Sequence, residues 1–271
     1  MTSRPFAEVI GDPIGHSLSP TIHGFWLGAL GIEADYRRRQ VEKGGLATYL
    51  AEVRADPAWR GSNVTMPLKL EALLAADTPS DAAIAAGAAN MLVPKDGTVD
   101  ADNSDVGAIA TLLDGLRADG AAMDGVTLLG NGGAARAALA AFRLAGVGPV
   151  IVQARDMAAG RALGVEFDVA HVRPLTAPVT TAGLLNATPL GMAGKGCLNC
   201  ELGAMPADGW VFDCVSVPAE TPLVVAARAR GLRVVLGLEM LVEQAAASFV
   251  RFFGAAPPRA RDAELMRQLA P

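Results

Sequence analysis

The stretch GVTLLGNGGAARAALAAFRLAG, residues 125–146, decides the fold class. Its opening GVTLL is a short apolar run of strand type, GNGG is a tight turn, and the Ala-rich remainder is helical and stops at Gly146. A strand that enters a helix through Gly130, Gly132 and Gly133 lets backbone N–H groups and the positive end of the helix dipole approach a pyrophosphate. The spacing G-N-G-G-A-A, running through Ala134, is a variant of the usual dinucleotide fingerprint. A second strand, PVIVQARD, follows at the distance such a unit requires, so a Rossmann-like nucleotide-binding fold is expected.

At the end of that second strand an NAD enzyme places an acid for the ribose hydroxyl, whereas an NADP enzyme places an Arg for the 2′-phosphate. Gln153, Ala154, Arg155 and Asp156 stand there. Arg155 favours NADP, because a planar guanidinium can pair bidentately with phosphate and stack on adenine. Asp156 could instead serve NAD, and a solvated Arg–Asp pair is the plainer alternative.

Downstream the pattern continues with a helix near residues 158–163, apolar strands in GLLNATPLGM (183–192) and WVFDCVSV (210–217), a helix over about 222–230 and a strand in LRVVLG. That succession describes a doubly wound sheet. LEMLVEQAAASFVRFFG (238–254) is apolar along a helical stretch, with charges at Glu239, Glu243 and Arg251, and reads as a long, largely buried helix returning to the first domain. Upstream lie a strand FAEVIG, a turn GDPIGHSLSP, a helix over 21–30, a strand ADYRRRQV, a helix over 46–54 and GSNVTMP. The whole is an α/β pattern with mainly parallel strands.

With 271 residues, 51% of them apolar and 19% charged, the chain can build two packed cores. A net charge of −5 without a basic stripe argues against nucleic acid. MTSRPFAEVIGDPIGHS has no apolar core of signal-peptide length and no apolar run reaches bilayer length, so a cytoplasmic location away from membranes is expected. Cys197, Cys200 and Cys214 are an odd set. The C-x-x-C in AGKGCLNCELG lacks a partner pair or a nearby His, so incidental loop thiols and no metal centre are expected. His16 and His23 read as packing or capping groups.

Groups for a substrate must come from the first part of the chain. Ser17 and Ser19 flank Leu18 on a turn, where two hydroxyls can bind a carboxylate or cap a helix. Lys69 closes NVTMPLK and Asp105 closes DNSD. A lysine oriented by a carboxylate can exchange a proton with an alcohol or carbonyl oxygen while hydride moves.

GDPIGHSLSPTIHG, GSNVTMPLK, GAANML, DNSDVGAI, GNGGAARAAL, LLNATPLGM and GLEMLVEQAA occur in the order seen in the shikimate dehydrogenase family, which the chain resembles over nearly its whole length. The resemblance implies a substrate-binding catalytic domain over residues 1–107, an NADP-binding Rossmann-like domain over 108–237 and C-terminal helices over 238–271 that rejoin the first domain. It implies reversible reduction of 3-dehydroshikimate to shikimate with NADPH, in the pathway to chorismate and the aromatic amino acids, in a cleft between the domains. It further implies that Ser17 and Ser19 hold the substrate carboxylate, that Thr65, Asn90 and Gln244 contact its hydroxyls, and that Lys69 and Asp105 form the catalytic pair. Asn186, Thr188 and Met192 resemble the family's loop near the cofactor, and Gly237 with Met240 the segment beside the nicotinamide.

Five positions depart from the family pattern. Ser216 stands where a Tyr is usual, Glu239 where a Gly is common and Ser104 where a Thr is usual, and A-R-D replaces N-R-T at the strand end. The alternatives are a quinate or aminoshikimate dehydrogenase, NAD-using, and a non-catalytic ligand-binding paralogue. A monomer or homodimer is expected.

Overall fold

Turn chemistry and apolar alternation build a first sheet from β1 (Phe6–Gly11), β2 (Asp35–Gln40), β3 (Trp59–Val64), β4 (Thr78–Pro79), β5 (Met91–Lys95) and β6 (Thr98–Asp102). The structure is a computed structural model that describes residues 4–269. Met1–Ser3 and Ala270–Pro271, the outermost residues of the expected first and last segments, lie outside the described residues. The first sheet has the order β2-β1-β3-β5-β6-β4. Helices α1 (Ser19–Leu30) and α2 (Leu46–Val53) make the crossovers that keep β1, β2 and β3 parallel. After β3 come α3 (Lys69–Ala75) and α4 (Asp81–Ala86).

The expectation of mainly parallel strands needs correction in this sheet, because β5 runs antiparallel to both β3 and β6. The cause is local: Asp96 and Gly97 both adopt positive φ, 48° and 86°, and so form the tight turn whose twist suits a hairpin. The hairpin brings Met91 opposite Asp102, and therefore Asn90 beside the start of the next helix.

The second sheet follows α5 (Ser104–Ala118) and contains β7 (Val126–Leu129), β8 (Val150–Ala154), β9 (His171–Pro174), β10 (Gly183–Asn186), β11 (Trp210–Asp213) and β12 (Arg233–Leu236). Helices α6 (Gly133–Ala145), α7 (Met157–Glu166) and α8 (Pro222–Ala229) lie between its strands. All the pairings are parallel, in the order β12-β11-β10-β7-β8-β9. Counted from β7 this is 3-2-1-4-5-6, the doubly wound order, and the chain reverses its direction of winding between β7 and β10.

Two expected strands are shorter than the apolar runs suggested. β10 stops at Asn186 because that side chain folds back on its own loop and Pro189 has no N–H to give to a ladder. β11 stops at Asp213, whose carboxylate takes the Val215 N–H. β9, largely exposed, has no apolar pattern to announce it.

Contacts divide the chain into a unit up to Ser104 joined by Val242 onward, and a unit from Asp105 to Leu241. The long helix expected near the C-terminus is α9 (Gly237–Phe253), which passes from the second unit to the first; α10 (Asp262–Leu269) follows. Within the first unit Phe249, Phe252 and Phe253 of α9 pack around His23, Trp26 and Tyr36. Gly61 is required there: its φ is +139°, and a Cβ would collide with the Phe252 ring. Among the described residues no helix is long and apolar enough to cross a membrane.

Candidate functional site

In the second unit the Gly-rich turn sits where the winding reverses, at the carboxyl ends of β7 and β10. Gly130 has φ +108°, and a Cβ on it would lie 3.1 Å from the Ala187 carbonyl oxygen and 3.2 Å from the Thr188 methyl. Only glycine lets these two strand ends approach so closely. Gly132 precedes α6 and offers no side chain to the first-turn N–H groups, and a Cβ there would meet nothing within 4 Å. Open space in front of uncapped helix donors at Gly133 and Ala134 is the geometry an anionic diphosphate needs.

Arg155 is exposed just beyond β8 and makes no ion pair or side-chain hydrogen bond among the described residues, so its guanidinium is available to a ligand. Asp156 does not pair with it. One oxygen of Asp156, Oδ1, accepts the N–H groups of Ala158 and Ala159 at 2.9 and 3.1 Å, which makes this residue the N-cap of α7. The solvated Arg–Asp pair considered from sequence is therefore not formed.

The β10 loop is set by a buried network that no sequence pattern announced. Asn186 Oδ1 accepts from the Thr188 N–H and hydroxyl, at 3.0 and 2.7 Å. Its Nδ2 donates to the Leu190 carbonyl at 3.2 Å and to Asp213 Oδ1 at 2.9 Å. Asp213 is fully buried and also accepts the Val215 N–H at 3.1 Å and the Thr221 hydroxyl at 2.6 Å, while Thr221 caps α8 through Val224. Burial pushes the Asp213 carboxyl above the ordinary carboxylate range. Asp213→Ala would leave three buried donors without an acceptor, a loss of roughly 2 kcal/mol. Thermal unfolding should show this as a lowered Tm, and an unchanged Tm would refute it.

Met192 lies on the same loop and is partly exposed. Gly237 opens α9 against the end of β11, where a Cβ would collide with the Val215 carbonyl. Glu239 turns its carboxylate back on its own helix start, accepting the Leu236 N–H at 2.7 Å, the capping arrangement of a third-position Glu. The departure at this position thus serves helix α9. Ser216 follows β11 and is half-buried, and Met240 in the first turns of α9 is buried.

The first unit gathers the candidate substrate groups at the carboxyl ends of β1 and β3. Ser17 and Ser19 lie at the start of α1 without capping it, since the N-cap is Leu18 and makes no side-chain bond; the helix-cap alternative does not hold. Ser17 Oγ accepts the Ser19 N–H at 3.3 Å, which leaves its O–H free to donate. Thr65 follows β3, its N–H on the Ile10 carbonyl at 2.9 Å, pressed so closely to Gly11 that a Cβ there would meet the Thr65 methyl at 2.5 Å. Lys69 begins α3 and is half-buried; its carbonyl accepts the Ala89 N–H at 2.8 Å, which ties the helix start to the segment carrying Asn90, just before β5.

Asn90, Ser104 and Gln244 form one buried chain. Asn90 Oδ1 accepts the Ser104 N–H at 2.8 Å, its Nδ2 donates to Ser104 Oγ at 3.0 Å, and Ser104 Oγ reaches Gln244 Oε1 at 3.4 Å. Ser104 therefore retains the linking hydroxyl of the Thr it replaces. Asp105 is buried in the first turn of α5. His16 is exposed and His23 is buried. Among the described residues no cluster of His, Cys, Asp and Glu could hold a metal ion. Cys200 packs against the core of the second unit, and burial pushes its thiol up to about 11, away from the reactive range.

Residues 9–92 match the family model for the shikimate dehydrogenase substrate binding domain, and residues 237–270 that for the shikimate 5′-dehydrogenase C-terminal domain. A protein of Sphingopyxis alaskensis named shikimate dehydrogenase (NADP(+)) is 47% identical over 97% of this chain and 96% of its own length. Shikimate 5-dehydrogenase from Thermus thermophilus, solved in complex with NADP(H) and shikimate, is 34% identical with a TM-score of 0.86, covering 98% of this chain and 99% of that one. Quinate dehydrogenase from Corynebacterium glutamicum, solved with NAD, is 28% identical with a TM-score of 0.84, covering 98% of this chain and 99% of that one. Sequence and architecture agree from the first strand to the last helices, and the chain belongs to the shikimate dehydrogenase family.

Proposed function

We propose that this protein is an NADP-dependent shikimate dehydrogenase, reversibly reducing 3-dehydroshikimate to shikimate in aromatic amino-acid biosynthesis. The observation that carries the reading is the 47% identity, over 97% of the chain, to an enzyme bearing that name. The family pattern supports the roles. Ser17 and Ser19 hold the substrate carboxylate, a group that accepts hydrogen bonds only and so suits a serine whose O–H is free. Thr65, Asn90 and Gln244 contact the ring hydroxyls. Lys69 and Asp105 are the catalytic residues: Lys69 gives a proton to the carbonyl oxygen during reduction and takes it back during oxidation, and Asp105 is the acidic member of the pair.

NADPH, when bound, supplies the hydride. Gly130, Gly132, Gly133 and Ala134 hold its diphosphate, Arg155 its 2′-phosphate, and Asn186, Thr188, Met192 and Gly237 its nicotinamide half. The protein acts in the cytoplasm as a monomer or homodimer, without nucleic acid.

The test is absorbance at the reduced-cofactor band for purified protein given shikimate or quinate with NADP or NAD. Rapid reduction of NADP with shikimate is expected. Arg155→Ala should lower kcat/KM for NADP about tenfold while leaving that for NAD unchanged, since one bidentate phosphate contact is lost. Ser216 and the likeness to a quinate dehydrogenase favour a second reading, quinate oxidation with NAD, which fast turnover of that pair alone would establish. Folded protein that binds NADP and reduces nothing would leave a ligand-binding paralogue.

A further inference from the structure

β2 runs beside the loop that carries Ser17 and Ser19, and one of its faces holds that loop in place. Alternate residues of a strand share a face, so Tyr36, Arg38 and Gln40 point the same way. The Tyr36 phenol donates to Asn63 Oδ1 at 2.6 Å and interacts with the Ser19 side chain. Arg38 donates to the Ser17 carbonyl from Nε at 3.0 Å and from Nη2 at 2.6 Å. Gln40 Nε2 donates to Asp12 Oδ1 at 2.9 Å. The strand thus meets the loop in reverse order, at Ser19, Ser17 and Asp12.

Charge singles out Arg38 among three consecutive arginines. Arg37 lies over the Phe6 ring and 3.8 Å from Glu8, and Arg39 pairs with Glu52. Arg38 has no carboxylate within ion-pair distance among the described residues; a neutral carbonyl orients it without cancelling its charge. Two of its five N–H donors are engaged in this way, and the residue is exposed.

We propose that Arg38 is a positioning and specificity-determining residue: by gripping the Ser17 carbonyl it presents the two serine hydroxyls together, and its uncancelled charge makes the loop prefer an anionic group to a neutral one. This rests on the assignment of Ser17 and Ser19 to the substrate carboxylate, and extends it to what selects that carboxylate.

The experiment compares wild type, Arg38→Gln, Arg38→Lys and Ser17→Ala as full-length proteins with saturating NADP. It reads KM for shikimate at low and high salt, and inhibition by the methyl ester of shikimate. Arg38→Gln should raise KM for shikimate about tenfold, as expected for losing a charge-assisted contact, with kcat and KM for NADP within about twofold. Its inhibition by the ester should change less than about twofold, and KM should lose its dependence on salt. Arg38→Lys should keep the salt dependence, because it keeps the charge without the fork. An unchanged KM in Arg38→Gln, or equal weakening toward shikimate and its ester, would overturn the inference alone, provided that Ser17→Ala raises KM for shikimate. A Ser17→Ala variant with wild-type KM would overturn the carboxylate assignment and this inference together.

Discussion

Replacing Lys69 with alanine should lower kcat for shikimate oxidation about 10³-fold while changing KM for shikimate less than about threefold. The argument starts from where the residue sits. Lys69 opens α3 after Thr65, Met66, Pro67 and the N-cap Leu68, and its carbonyl is fixed by the Ala89 N–H, one residue before Asn90. The start of the helix is thus held between the segments after β3 and before β5 that also carry candidate substrate ligands, and Lys69 is half-buried. During reduction, negative charge grows on the carbonyl oxygen as hydride arrives; a fixed ammonium is worth more to that oxygen than to the ground-state carbonyl.

The loss therefore falls on kcat. Proton transfer and charge stabilisation together account for the three orders of magnitude, about 4 kcal/mol. Lys69→Arg keeps the charge but replaces a compact donor by a planar fork, and should recover little of the rate. Binding of NADP, followed by fluorescence, should be unchanged in both variants. A Lys69→Ala protein with kcat within tenfold of wild type would remove Lys69 from the chemistry.

How far these residues could be read from sequence depended on whether their contacts are local. The Gly130–Gly133 turn was legible because one strand, one turn and one helix follow one another within a single run, and the structure places that turn at the switch point of the sheet. The β5–β6 hairpin went unread although Asp96-Gly97 between MLV and TV announces it; that Asp-Gly pair is the local cue that brings Asn90 to Ser104. Asp156 was weighed as a cofactor ligand when its position before a helix already fits an N-cap. Asp213 had no cue at all. Its partners Asn186 and Thr221 come from other segments, and only the sheet order brings them together. Arg38 is similar: three arginines in a row look alike until strand alternation and the Ser17 loop separate one from the others.

His23 was read as a packing group, and its environment turns that into a strong dependence of stability on pH. The ring is fully buried, stacked on Tyr36 with centroids 3.9 Å apart and planes within 4°, and bordered by Trp26 and Phe249. Neither ring nitrogen has a hydrogen-bond partner among the described residues. Tyr36 is neutral there, because burial pushes its phenol up. Burial lowers the His23 pKa from 6.5 to about 3, so between those values the unfolded chain takes up a proton that the folded chain refuses. Stability from this group is present above 6.5 and is lost as pH falls, at about 1.4 kcal/mol per unit, or about 2.5 kcal/mol between pH 7 and pH 4.5. Urea unfolding followed by near-ultraviolet circular dichroism, which reports the aromatic cluster, should show that loss in wild type. His23→Phe, similar in volume and without a titrating group, should lose about 2.5 kcal/mol less over the same interval, whatever its stability at pH 7. Equal losses in the two proteins would mean that the folded state accepts the proton, and therefore that the cluster opens around His23 at a cost too small for a closed core.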